Sequence, residues 1–167
     1  MREMMIVSYK LYGAIGFGVG GLIAGLAGDY MILAFIFFGM IGSAFLSIPV
    51  RDLKFTILSS LLGAIGFFFG FTIPMFVVLG VLDLGLLFVG LIMGFLGGGL
   101  LGFAYKNMQV FIPAGMIGFG IWGFVIDILR PFYTVIHPAI VMMIASALAG
   151  AILGYAANTA KRAENHK

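Results

Sequence analysis

Apolar residues run along this chain in six long blocks, 11–28, 31–50, 55–82, 84–105, 107–126 and 131–160, with charged residues between them. A helix needs about 20 residues to cross the hydrocarbon core of a bilayer, and each block can supply them. Strands of a membrane barrel would alternate in polarity every second residue. Runs such as Met31–Phe38 do not alternate. A spanning segment must satisfy its own backbone hydrogen bonds, so the pattern predicts an all-α, polytopic membrane protein of six transmembrane helices.

The blocks repeat in pairs. Gly13-Ala-Ile-Gly-Phe17 recurs unchanged as Gly63–Phe67 and again, with one substitution, as Gly115-Met-Ile-Gly-Phe119, at spacings of 50 and 52 residues. The second helix of each pair repeats as well: Leu96–Ala104 matches Leu148–Ala156 at an offset of 52, and Gly39, Ser43 and Ser47 align with Gly94, Gly98 and Gly102 at an offset of 55. The third copy places Ser146, Gly150 and Gly154 there. Register kept across copies signals internal repetition. One transmembrane domain is therefore expected, 1–167, made of three tandem glycine-rich hairpins (about 9–52, 55–107 and 108–161) and a polar tail, 161–167, that carries His166. Two crossings per copy give all three one orientation, hence a pseudo-threefold arrangement about the membrane normal. Because the first helix has counterparts later in the chain, it is expected to be a span and not a cleaved leader, although Gly25-Leu-Ala27 would suit a signal peptidase.

Small residues at i, i+4 and i+8 share one face of a helix. The stripes Gly39/Ser43/Ser47, Gly94/Gly98/Gly102 and Ser146/Gly150/Gly154 are thus expected to be contact faces, where backbones approach closely. The odd helices carry shorter versions, Gly16/Gly20 and Gly66/Gly70, and Trp122 breaks the series in the fifth.

Composition supports the membrane reading: the chain is 63% hydrophobic and 9% charged, against about 25% charged in soluble domains. Eight of the nine basic residues fall on one side of a six-span topology, and only Arg130 on the other. Under the positive-inside rule this predicts a multi-pass protein of the cell membrane with cytoplasmic N- and C-termini. The tyrosines fall near the block ends, where an aromatic belt would lie. The net charge of +3 reflects topology, and nucleic acid is not an expected partner.

The candidate chemistry is sparse. Asp29, Asp83 and Asp127 occur one per hairpin on the outer side, where carboxylates could ring the mouth of a cation pathway; Asp29 and Asp83 could equally cap the second and fourth helices. Asp127 and Arg130, at i and i+3, could form an ion pair. His137, in the same outer loop, could sense pH or bind metal. Pro74 removes the helical bond to Gly70, so the two form a candidate hinge. Ser43, Ser47, Ser59, Ser60, Thr72 and Ser146 are the polar groups at membrane depth.

No charged residue lies in the middle of a block, which disfavours ion-coupled pumping. Cysteine is absent and neither histidine lies in the middle of a block, so no catalytic residues, metal site or cofactor are expected, and the chain is not expected to be an enzyme. Two functions are left. One is a passive channel or facilitator for small ions or solutes. The other is a non-catalytic structural or accessory subunit whose glycine stripes dock other membrane subunits or further copies of itself in the lipid bilayer.

Overall fold

Glycine-rich but uninterrupted apolar runs leave the backbone no partner but itself, and in a computed structural model each run closes into a helix. The structure describes residues 2–78 and 85–164; Asp83 and His166 lie outside them. The helices are α1 (Arg2–Leu26), α2 (Met31–Ser47), α3 (Leu53–Val78), α4 (Gly85–Ala104), α5 (Met108–Leu129) and α6 (Pro138–Glu164). All six contain spans long and apolar enough to cross a membrane, and the described residues contain no strand. The protein is a multi-pass helical membrane protein.

The ends of the helices follow local chemistry. Asp52 caps α3, its Oδ1 accepting from the Lys54 and Phe55 amides at 2.9 and 3.3 Å. His137 Nδ1 does the same for α6, accepting from Ala139 N at 3.2 Å, and Pro138 supplies the first helical residue. A 3-10 turn, Arg130–Phe132, therefore separates α5 from α6, and α6 starts seven residues later than its apolar block suggests. It also continues past 161, to Glu164. At the end of α4, Lys106 takes a left-handed φ of 54°. Its amide bonds Phe103 O and that of Asn107 bonds Gly102 O, a Schellman closure with lysine where glycine is usual.

Each helix packs on its neighbours in the chain, and α1 packs on α6, so the six form a closed ring. Large aliphatic and aromatic side chains face outward at helical spacing: Leu11, Ile15, Val19 and Ile23 on α1, and Ile57, Leu61, Ile65, Phe69 and Ile73 on α3, are all exposed. Small residues occupy the seams and aromatic rings fill the centre. Such an outward apolar face suits lipid and not water.

The stripes form seams between hairpins. A Cβ on Gly39 would collide with Gly63 O, one on Gly94 with Gly115 O, and one on Gly150 with Gly13 O. Thus α2 lies on α3, α4 on α5, and α6 on α1, each meeting the first glycine of the repeated motif. The second glycine of the motif packs within its own hairpin: Gly16 on Phe45, Gly66 on Gly97 Cα, and Gly118 on Ala149. Two glycines three residues apart thereby serve two different neighbours.

Candidate functional site

The motif phenylalanines meet in the middle. Ring centroids of Phe17 and Phe67 lie 5.2 Å apart, of Phe17 and Phe119 5.7 Å, and of Phe67 and Phe119 4.8 Å. Phe38 covers this triangle, touching the three rings at 5.4, 5.6 and 5.8 Å. Edge-on and tilted geometries at these distances are attractive aromatic pairings. Room for the rings comes from glycine: Phe17 lies over Gly42 and Phe67 over Gly97. Met93 stands 55 residues after Phe38 and Ala145 52 residues after Met93, and all three are wholly buried. Close packing explains the inequality, since one ring fills a space that three could not share. Above Phe38, Phe35 stacks on Phe71 at 3.8 Å and meets Trp122 edge-on at 6.0 Å.

Beyond these rings, at the end opposite the lysines, is a cavity of about 220 Å³. Phe71, Leu86, Trp122, Ile126 and Met142 line it, together with Ala24, Gly25, Gly28, Pro138, Tyr133 and Arg130. Trp122 lies three residues after Phe119, as Gly20 and Gly70 do after Phe17 and Phe67, and those two glycines pack against the backbones of Phe38 and Met93.

Asp127 lies beside this end. Its Oδ2 accepts from Leu87 N at 3.2 Å, a cap on the first turn of α4 supplied by a residue 40 positions away. The expected ion pair of Asp127 with Arg130 does not form, and the described residues contain no salt bridge of either. Tyr133 feels both: burial raises its pKa, Arg130 lowers it and Asp127 raises it, leaving it above the usual tyrosine value. Asp29 falls on the 3-10 turn Gly28–Tyr30 ahead of α2, whose cap position is taken by Tyr30 with no side-chain bond. His137 is occupied as the α6 cap. Among the described residues no three His, Asp or Glu side chains cluster.

The depth serines divide. Ser47 and Ser60 return hydrogen bonds to Ala44 O and Thr56 O. The hydroxyls of Ser43, Ser59, Thr72 and Ser146 are buried and unpartnered among the described residues. Ser43 Oγ sits over Gly63 and Ser146 Oγ over Gly21, on the seams of α2 with α3 and of α1 with α6. Pro74 is buried inside an unbroken α3, and Gly70 lies against Met93 Cα, where a Cβ would be 2.7 Å away.

The stripe residues Gly39, Ser43, Ser47, Gly94, Gly98, Gly102, Ser146, Gly150 and Gly154 are all buried inside the chain. Tyr9 and Tyr105, expected in the lipid-facing belt, are 4% and 7% exposed and point inward. Tyr105 donates to Leu46 O at 3.0 Å, tying the end of α4 to α2. What the sequence reading missed is the aromatic centre; its signal was the phenylalanine that ends the motif at all three places.

No family model, curated protein or solved structure matches this chain.

Proposed function

We propose that the chain is a non-catalytic membrane subunit with a closed axis, built of three tandem hairpins about a pseudo-threefold axis and inserted with both termini in the cytoplasm. The observation that carries this is the mutual contact of Phe17, Phe67 and Phe119 under Phe38. A conducting pore needs a polar or wet path, and wholly buried rings occupy the place where one would run. The orientation rests on the lysines and arginines gathered at one end. Its partners are lipid and, through the exposed aliphatic faces, other membrane helices or further copies.

A passive facilitator is the second reading. It is favoured by the cavity, which reaches inward as far as Phe71 and Trp122, and it would need the rings to part. Flux into vesicles carrying the purified protein separates the two: a closed subunit leaves ion, water and solute leakage at the lipid value, whereas a facilitator raises it.

A further inference from the structure

The end cavity is apolar on most sides, and the lining side chains that carry polar groups are Arg130, Trp122 and Tyr133. Arg130 reaches it with no carboxylate partner among the described residues, since Asp127 is turned to α4. Trp122 is 1% exposed and its indole N–H has no partner among the described residues. Leaving such a donor unmade inside a protein is costly. Tyr133, whose pKa is raised chiefly by burial, stays a neutral phenol at ordinary pH. An apolar cavity of about 150 Å³ admits benzene, so the 220 Å³ here suffices for a body of ring size or a short alkyl chain.

We infer that this cavity binds a small anion with an apolar body, its head group held by the Arg130 guanidinium and its body against Phe71, Trp122, Ile126 and Met142. The Arg130 charge selects a carboxylate or phosphate over a cation, and the greasy wall selects an amphiphile over an inorganic ion. Asp127 is engaged by the Leu87 amide and so repels an anion less than a free carboxylate would. The source is either a soluble acid or the head group of an anionic lipid. The inference does not depend on the axis being closed: flux through the bundle would leave anion binding intact.

Trp122 is the single tryptophan of the chain, so its fluorescence reports on the cavity directly. The full-length protein in phosphatidylcholine vesicles is titrated with hexanoate and, separately, with hexanol. Hexanoate should shift Trp122 emission saturably, and Arg130→Gln should raise the half-saturating concentration at least about tenfold, the loss of one charge-assisted hydrogen bond. Arg130→Lys should restore part of it. A linear response shared by parent and Arg130→Gln, or hexanol matching hexanoate, would overturn the site, and an unchanged melting temperature of Arg130→Gln keeps that result interpretable. Vesicles doped with phosphatidylglycerol identify the source: competition with hexanoate in the parent but not in Arg130→Gln means a lipid head group, and none means a soluble acid.

Discussion

Gly13 and Gly150 lie backbone to backbone: a Cβ on either would strike the carbonyl oxygen of the other. The contact joins the first helix to the last and closes the ring. Its counterparts are Gly63 on Gly39 and Gly115 on Gly94. In lipid no hydrophobic drive pulls helices together, so dispersion along such seams carries the association.

Gly150→Leu should therefore destabilise the bundle by about 1–3 kcal/mol, the usual cost of overpacking, with Gly98→Leu similar. Gly98 meets Phe111 O, where an added Cβ would be 2.5 Å away. Leu148→Ala, at a side chain 49% exposed, should change stability little. Thermal unfolding in detergent ranks the three; equal melting of all would mean that the seams are loose.

Phe67 and Phe69 are two residues apart and differ in role, one wholly buried and one 49% exposed. Phe67→Ala should cost about 3–5 kcal/mol, transfer plus cavity, and Phe69→Ala far less. Denaturant midpoints in matched detergent measure the difference.

Tyr105 links stability to alkaline pH. Burial, and secondarily Tyr9, raises its pKa well above the ordinary tyrosine value. A raised folded pKa means that the proton favours the folded state: the contribution is complete below about pH 10 and lost as pH rises through the folded value. Tyr105→Phe leaves Leu46 O without its donor and should cost about 1–3 kcal/mol at neutral pH. Melting temperature followed from pH 9 upward should fall more steeply for the parent than for Tyr105→Phe; parallel curves would refute the assignment.

Lys106 holds a left-handed backbone, which costs a non-glycine residue roughly 1–2 kcal/mol. Lys106→Gly should stabilise the turn by about 1 kcal/mol, less whatever the lysine contributes at the C-terminus of α4. Calorimetric melting tests the sign.

Since the chain lacks cysteine, single cysteines map its orientation. Thr134→Cys should react with an impermeant thiol reagent on intact cells and Lys106→Cys only after lysis; the reverse would invert the topology.

The six helices were legible because charge interrupts apolarity at intervals of a span, and the stripes because small residues kept their register. The direction in which the stripes faced was not. Period alone says that Gly94, Gly98 and Gly102 share a face but not whether it meets α3, α5 or another protein, and the structure gives α5. The fates of Asp127 and Tyr105 were illegible for a related reason: each bonds a backbone group far along the chain, at Leu87 and Leu46. The helix start at Pro138 depended on a histidine cap, an unusual choice that composition does not signal.

The closed axis is tested most directly by proteoliposomes. Purified protein is reconstituted at graded protein-to-lipid ratios, and osmotic water entry, potassium flux and glycerol uptake are followed by light scattering and fluorescence. With Phe17, Phe67 and Phe119 packed under Phe38, all three rates should stay at the protein-free value at every ratio. A rate that rises in proportion to protein would contradict the closed axis.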